Sequence, residues 1–191
     1  MRHYLRSTFA AGALFAGALF LAAPSHAALK PGQRAPDFAL QATLGGQAFD
    51  FSLQEALKKG PVVLYFYPAA FTKGCTIEAH DFAEAVDDYA QYGATVLGVS
   101  ADKLETLKEF SVSACRSKFA VGADPQAGVI AAYDAAMAYK PGMAARISYV
   151  ITPDGKIYYE YSSPNPDGHV ANTLSAVKKW ASEHRPAAGR P

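Results

Sequence analysis

A cysteine at the predicted start of a helix is the first feature of the chain that could do chemistry. The β-branched and aromatic run from Val62 to Tyr67 predicts a buried strand, and Pro68 ends it. A short loop then leads into a helix predicted to begin at about Lys73, which places Cys75 in its first turn. There the unpaired backbone N–H groups and the positive end of the helix dipole favour a thiolate over a thiol. The sequence therefore predicts a reactive sulfur at Cys75.

Two further residues are spaced so that they can act on that sulfur. Pro68, Thr72 and Cys75 form the pattern P-x-x-x-T-x-x-C. If the loop wraps over the start of the helix, the Thr72 hydroxyl can hydrogen-bond the sulfur and a bound oxygen substrate, while the Pro68 ring shields the site from water. The pattern resembles the active-site motif of the peroxiredoxins. The wider F-Y-P-x-x-F-T-x-G-C-T-x-E is most similar to their bacterioferritin comigratory protein branch, also called peroxiredoxin Q.

This resemblance implies a thiol peroxidase that reduces hydrogen peroxide and organic hydroperoxides. In such an enzyme Cys75 would attack the O–O bond and become a sulfenic acid. Each residue also has an interpretation without chemistry. Cys75 lies at helical spacing from Ala79 and Phe82, so it can be a small core residue, and Thr72 can be the N-cap of the helix.

The resemblance also implies a role for Arg146. It stands just before the apolar stretch 147–151, which a Thr-Pro-Asp-Gly turn at 152–155 follows. An arginine at this place in the family holds the active-site thiolate and the peroxide. Without the resemblance, Arg146 would be interpreted as a surface cation at the edge of a strand.

Cys115 is the candidate resolving cysteine. In many relatives of this branch the resolving cysteine lies five residues after the reactive one, and here that position is His80. Cys115, near the end of a later predicted helix, resembles the subset of the branch that carries the resolving cysteine in this region. It would condense with the Cys75 sulfenic acid to an intramolecular disulfide, after a local rearrangement that brings the two sulfurs within reach. Arg116 and Lys118 are expected to lower the pKa of its thiol. A free surface thiol, with the sulfenic acid reduced by an external thiol, is the alternative.

Composition fits one globular domain with a further segment at each end. The chain has 191 residues, of which 50% are hydrophobic and 18% are charged. Residues 1–27 combine a basic start, an apolar run and a small-x-small site before Ala28, which predicts a secretory signal peptide and an exported, periplasmic protein. Residues 28–184 are predicted to form the domain, and the Pro-, Gly- and Ala-rich residues 185–191 a disordered tail.

Charge and motifs narrow the expected partners. The full chain carries 18 basic and 17 acidic side chains, and residues 1–27 contain two of the basic ones and no acid, so the mature chain has a formal charge of −1. Neither nucleic acid nor an anionic membrane is therefore expected as a partner. No motif indicates a cofactor or a metal. The resemblance implies a hydroperoxide substrate and a thioredoxin-like or other thiol reductant, and we expect a monomer.

The order of predicted elements indicates a mixed α/β fold. A hairpin at Gly45-Gly46 is followed by alternating helices and strands, a second hairpin at Asp154-Gly155 and a final helix. This order is similar to the thioredoxin-like fold, with a central mixed sheet, helices on both faces and the N-terminal β-hairpin extension of peroxiredoxins. We expect Asp102 to cap a helix, residues 135–144 to be irregular, and His169 to be a loop or capping residue.

Two other function classes stay open at this point. A thiol-disulfide exchange protein on the same fold is one, although the sequence lacks the C-x-x-C pair that such proteins usually carry. The other is a non-enzymatic exported domain held together by a disulfide between Cys75 and Cys115.

Overall fold

A computed structural model describes residues 28–184, and the signal peptide and tail predicted for 1–27 and 185–191 lie outside these residues. Within them, five helices surround a central sheet. The elements, in chain order, are β1 (Ala39–Leu44), β2 (Gln47–Ser52), α1 (Leu53–Leu57), β3 (Val62–Phe66), α2 (Lys73–Ala90), β4 (Thr95–Ser100), α3 (Leu104–Ser113), β5 (Ala120–Ala123), α4 (Gly128–Ala132), β6 (Ala136–Met137), β7 (Lys140–Ala144), β8 (Ile147–Ile151), β9 (Ile157–Ser162) and α5 (His169–His184). In this part of the chain, no helix combines the length and apolar character needed to span a membrane.

Seven strands form the central sheet in the order β2-β1-β5-β4-β3-β8-β9. The pairs β3–β4 and β4–β5 are parallel, whereas β1–β5, β3–β8 and β8–β9 are antiparallel. All five residues of β3 and all five of β8 are buried, because helices cover both faces of the sheet. The mixed α/β fold that the sequence predicts is confirmed.

Alternation along β3 divides the interior into two cores. Val63 and Tyr65 face one core, which α2, α3 and α5 cover. Val62, Leu64 and Phe66 face the other, which α1, α4 and the segment before β1 cover. Because successive side chains of a strand point to opposite faces, one apolar run fills both cores.

Besides β8 and β9, two further pairs of consecutive strands form antiparallel hairpins. β1 and β2 are joined by a turn at Gly45 and Gly46, whose φ values of 55° and 81° suit the two left-handed positions of a tight hairpin turn. Residues 135–144 were expected to be irregular, and that expectation is wrong. They contain β6 and β7, which pair as a short antiparallel ribbon.

The antiparallel pairing of β3 and β8 decides what lies near the loop before α2. Its register places Phe66, the last residue of β3, opposite Ile147, the first of β8. Arg146, which precedes β8, therefore lies at the same end of the sheet as the loop that leaves β3. Residues far apart in the sequence are brought together by this register.

Close packing at the centre of the sheet makes a specific prediction for Gly98. A Cβ at Gly98 would lie 2.7 to 2.8 Å from the ring of Tyr65, its partner on β3. We expect Gly98→Ala to lower the free energy of unfolding by about 1–3 kcal/mol, the usual cost of overpacking a core. Gly142→Ala is the matched control, because a Cβ there meets nothing within 4 Å. Urea unfolding measures both, and equal stability of the two variants would contradict the packing described.

Candidate active site

The first turn of α2 forms the centre of the candidate site. Cys75 is the third residue of this helix and is 1% exposed. Thr72 occupies the N-cap position, and its carbonyl accepts the Thr76 N–H at 2.9 Å. The Thr72 side chain makes no capping hydrogen bond, so it leaves the first-turn N–H groups available to an anion. The predicted start of the helix at about Lys73 is confirmed.

The Thr72 hydroxyl is turned toward its own loop. It donates a hydrogen bond to the Ala69 carbonyl at 3.0 Å rather than to the sulfur. The N-cap interpretation therefore holds for the position of Thr72 but not for its side chain. A hydroxyl that donates once still has two lone pairs, so Thr72 can accept a hydrogen bond from a substrate. Its action on the sulfur stays a prediction.

Arg146 is the side chain that binds the Cys75 sulfur. Its Nη2 donates to Cys75 Sγ at 3.4 Å, its Nη1 pairs with a carboxylate oxygen of Glu78, and its Nε donates to the Pro164 carbonyl at 3.2 Å. Arg146 is 8% exposed, so its interpretation as a surface cation is wrong. Gly74 leaves room for the guanidinium, because a Cβ there would lie 3.2 Å from Nη2. The bonds to Cys75, Glu78 and Pro164 fix the orientation of the guanidinium, with Nη2 against the Cys75 sulfur.

Glu78 belongs to this site, although no role for it was predicted from the sequence. It lies three residues after Cys75 on the same face of α2 and is fully buried. Burial raises the pKa of its carboxyl to about 8, and the neighbouring Arg146 offsets part of this rise. The sequence signal for Glu78 was its position in T-x-G-C-T-x-E, one helical turn after the cysteine. A carboxylate on the buried face of a helix needs a partner.

His169 also lies at this site, and its interpretation as a loop or capping residue is wrong. It is fully buried at the start of α5. Its Nδ1 is 2.8 Å from the Ser148 hydroxyl and 3.7 Å from Glu78 Oε1, and its Nε2 is 3.1 Å from the Ser163 carbonyl. Burial lowers the pKa of His169 to about 4, so the ring is neutral near pH 7. Nowhere in residues 28–184 do three or more His, Cys, Asp or Glu side chains group as a metal site would require.

The loop before α2 is held from the side of β4. Asp102 accepts hydrogen bonds from the Ala70 N–H and the Ser100 hydroxyl, both at 2.8 Å. The prediction that Asp102 caps α3 is wrong, because Lys103 is the N-cap residue. Phe71, with a left-handed φ of 63°, places its ring edge-on against Phe110 at 5.3 Å. The loop is therefore held near its middle by Asp102. The left-handed backbone conformation of Phe71 costs free energy, because Phe71 carries a side chain.

A groove of about 330 Å³ opens beside Arg146 and Pro68. Its lining is mostly apolar, and its other members are Met137, Tyr139, Ala145, Ile147, Ser162, Ser163 and Pro164. The β6–β7 ribbon supplies part of one wall. The guanidinium thus lies between the buried sulfur and an open groove, which gives a small molecule a route toward the site.

Cys115 is placed differently from the sequence expectation. It lies two residues after α3 and is fully buried in the core between the sheet and the helices α2 and α3, so it is not a surface thiol. Burial raises the pKa of its thiol well above the usual value of 9. Arg116 and Lys118 do not counter this, because they point outward and pair with Glu84 at 3.1 Å and Asp87 at 3.5 Å. The prediction that they lower its pKa is wrong.

Comparison with known proteins gives consistent matches. Residues 31–160 match the model of the AhpC/TSA family. A putative peroxiredoxin of Mycobacterium tuberculosis is 36% identical over 148 residues, covering 75% of this chain and 91% of the relative. Peroxiredoxin Bcp of Escherichia coli is 32% identical over 163 residues, covering 82% and 97%. The crystal structure of peroxidoxin BcpB from M. tuberculosis superposes with a TM-score of 0.71 at 30% identity, covering 79% of this chain and 97% of that one.

The buried carboxyl makes a prediction about stability and pH. Because the Glu78 pKa rises from 4.5 in the unfolded chain to about 8 in the fold, its contribution is fully present below pH 4.5 and is lost as pH rises toward 8. One pKa unit is worth about 1.4 kcal/mol, so the loss amounts to roughly a few kcal/mol. The side chain introduced by Glu78→Gln cannot ionise. We therefore expect the free energy of unfolding of this variant to fall less than that of wild type as pH rises from 4.5 toward 8.

Urea unfolding from pH 5 to 9 measures the effect as the difference between wild type and Glu78→Gln. Taking the difference removes the contribution of His169, which has the opposite sign because its lowered pKa loses stability as pH falls from 6.5 toward 4. Glu84→Gln, an exposed glutamate on the same helix, is the control. Parallel profiles for wild type and Glu78→Gln would show that Glu78 is ionised in the fold throughout this range.

Proposed function

The chain belongs to the AhpC/TSA family and is a peroxiredoxin, a thiol peroxidase, and from this premise we propose which of its residues carry the reaction. Cys75 is the peroxidatic residue. The observation that carries this assignment is the 3.4 Å hydrogen bond from Arg146 Nη2 to Cys75 Sγ in the first turn of α2. A guanidinium bond and free N–H groups at a helix start both favour the thiolate, which is the nucleophilic form of the sulfur.

In the first step the thiolate attacks the terminal oxygen of the hydroperoxide. The S–O bond forms, the O–O bond breaks, and the leaving group departs as water or an alcohol once it has gained a proton. Negative charge moves from the sulfur onto the oxygens during this step. We propose that Arg146 and the backbone N–H groups of Gly74 and Cys75, in the first turn of α2, stabilise that charge. The Thr72 hydroxyl can accept from the O–H of the peroxide and orient it.

The groove beside Arg146 supports both hydrogen peroxide and organic hydroperoxides as substrates. A small peroxide needs only the polar end at Arg146, whereas an organic hydroperoxide can lay its carbon chain on Pro68, Ile147 and Pro164. Pro68 is half-buried at the junction of the groove and the site. This position supports its predicted role of keeping water from the sulfur.

We propose that Cys115 resolves the sulfenic acid as an intramolecular disulfide. Both cysteines are free thiols in the structure, and both are buried in the same core. Disulfide formation therefore requires that the first turn of α2 and the segment after α3 open locally. The turn that follows Cys115 favours such opening, because Arg116 and Ser117 both adopt left-handed φ values, 51° and 54°.

The alternatives are a one-cysteine cycle, in which an external thiol reduces the sulfenic acid, and a thiol-disulfide exchange protein. If the segment after α3 stays closed, Cys115 stays completely buried and cannot reach Cys75, which favours the one-cysteine cycle. Peroxiredoxins use thioredoxin-like reductants, and we propose one here. Export to the periplasm and action as a monomer are further proposals, the first supported by the sequence of residues 1–27.

The first step predicts the kinetics of peroxide reduction. Stopped-flow mixing of the reduced protein with hydrogen peroxide is expected to show fast oxidation that Cys75→Ser abolishes. Arg146→Lys, which cannot make the bonds to Cys75, Glu78 and Pro164 together, and Thr72→Val should each slow it roughly 10²-fold or more, the effect of losing one stabilising group.

Matched controls are Arg116→Lys and Thr95→Val, which change the same residue types away from the site and should keep the wild-type rate. Oxidation of wild type no faster than that of a free thiol would contradict the peroxidase assignment. If Arg146→Lys kept the full rate, the role of the guanidinium would be wrong.

The resolving step predicts which peptides become linked. After one equivalent of peroxide, peptide mapping is expected to find Cys75 joined to Cys115, and Cys115→Ser should leave Cys75 as a sulfenic acid that an added thiol reduces. Cys115→Ser should leave the rate of the first oxidation unchanged within about a factor of two, because that step does not involve Cys115. Mapping that finds no Cys75–Cys115 link in wild type would replace this step with the one-cysteine cycle.

A further inference from the structure

The proposed reaction gives no role to one buried oxygen that belongs to the site itself. Glu78 Oε1 is buried and, among residues 28–184, makes no hydrogen bond, although the other carboxylate oxygen of Glu78 pairs with Arg146. His169 Nδ1, on α5, lies 3.7 Å away. Burying an unpaired carboxylate oxygen costs free energy, so we expect Glu78 Oε1 to carry a proton or to have a hydrogen-bond partner.

The hydrogen bonds of His169 assign its tautomer. Its Nε2 lies 3.1 Å from the Ser163 carbonyl, and a carbonyl can only accept, so Nε2 carries the hydrogen. In the neutral ring Nδ1 is then an acceptor, and the Ser148 hydroxyl donates to it at 2.8 Å. Glu78 Oε1 therefore faces a nitrogen that offers it no hydrogen. If Glu78 were ionised, its buried Oε1 would be a carboxylate oxygen with no hydrogen to accept from His169.

The charges around Arg146 also favour a protonated Glu78. One buried guanidinium faces both Cys75 and Glu78. With the cysteine as thiolate and the glutamate as carboxylate, the site would hold two anions and one cation away from water. Because an uncompensated buried charge is expensive, the two acids compete for a single charge partner.

We infer that Glu78 and His169 form a proton reservoir for the peroxidase step, in which Glu78 Oε1, beside a His169 ring that offers it no N–H, carries a proton while Cys75 is a thiolate and gives it up when Cys75 becomes a sulfenic acid. This inference rests on the proposed role of Cys75. A thiolate, a hydroperoxide and the protonated Glu78 carboxyl give a sulfenic acid, an alcohol or water, and a carboxylate. The proton lost by Glu78 equals the one that the leaving oxygen needs, so the charge of the site stays constant.

The return half of the cycle balances as well. Two reductant thiols convert the sulfenic acid and the Glu78 carboxylate back into a thiolate and a protonated carboxyl, with one disulfide and one water as the other products. The carboxyl thus recovers its proton from the reductant. His169 acts here as a positioning residue, because its neutral ring presents no N–H to Glu78 Oε1 and so favours the protonated carboxyl, and it does not touch the peroxide.

Other groups that face this pair do not supply the proton in its place. Burial raises the pKa of Tyr65 well above its usual 10, so that hydroxyl keeps its proton. Asp81, on the same helix as Glu78, is partly exposed, and its negative charge helps to raise the pKa of Glu78. Tyr161 packs the edge of its ring against His169 at 4.8 Å. The raised pKa of Glu78, about 8, and the neutral His169 agree with the geometry.

The direct test is an infrared difference spectrum between the reduced protein and the protein oxidised by one equivalent of hydrogen peroxide, near pH 7. Cys115→Ser serves as the background, so that Cys75 stops at the sulfenic acid, and mass spectrometry first establishes that Cys75 has been oxidised. We expect oxidation to remove the C=O stretch of a protonated carboxyl and to add a carboxylate band, and Glu78→Gln should abolish both changes. If Cys75 is oxidised without any carboxyl change, the reservoir is refuted, whereas failure of Cys75 to oxidise would instead refute the proposed function.

Proton counting in weak buffer tests the role of His169. Per Cys75 oxidised, the background protein should take up no net proton from solvent, and Glu78→Gln should take up about one. His169→Gln puts an amide N–H opposite Oε1 and favours the carboxylate, so its uptake should also rise to about one. His184→Gln, which removes an exposed histidine from the end of the same helix, should leave uptake at zero. Zero uptake in His169→Gln would show that Glu78 holds the proton without His169.

Discussion

One buried guanidinium holds the site together. Cys75 and Glu78 lie three residues apart on α2 and so share a helix face, and Arg146 contacts both while its third nitrogen binds the Pro164 carbonyl. A buried cation without partners would cost several kcal/mol, so these contacts stabilise the fold. The pairing of Phe66 with Ile147 brings this guanidinium to α2, because it sets the start of β8 beside the end of β3. Any change that shifts this register would separate the cation from the sulfur.

The surroundings of the guanidinium are rigid on one side and open on the other. Behind it, Ser148 and His169 close the space between β8 and α5 with buried hydrogen bonds. In front of it lies the groove between the loop after β3 and the β6–β7 ribbon. Asp102 ties the loop through the Ala70 N–H, so the helix start is held from a third direction. A preorganised cation with one open approach suits a reaction whose charge moves from sulfur to oxygen, because little must reorganise in the transition state.

Structural features that depend on local sequence patterns were predicted from the sequence, whereas features that depend on tertiary contacts were missed. The apolar run before Pro68 and the helix after it place Cys75 in the first turn, and alternation of strands and helices gives the mixed sheet. Glu78 and His169 were missed because a glutamate in a helix and a histidine after a loop usually face solvent, and only the packing of α5 on α2 buries them. Cys115 was misjudged for a related reason. Its basic neighbours point outward to Glu84 and Asp87, so charge nearby in sequence says little about charge nearby in space.

On the proposed mechanism, oxidation of Cys75 weakens its contact with Arg146. A thiolate accepts a charge-assisted bond from Arg146, whereas a sulfenic acid is neutral and accepts a weaker one. The guanidinium keeps its bonds to Glu78 and Pro164, so it stays in place while the first turn of α2 loses its anchor. On the proposed mechanism, loss of charge at the sulfur thus lowers the cost of opening α2 at the moment when Cys75 must leave the core to meet another thiol. On this proposal, the bond from Arg146 that makes the sulfur reactive also restrains it, and the reaction ends that restraint by consuming the charge.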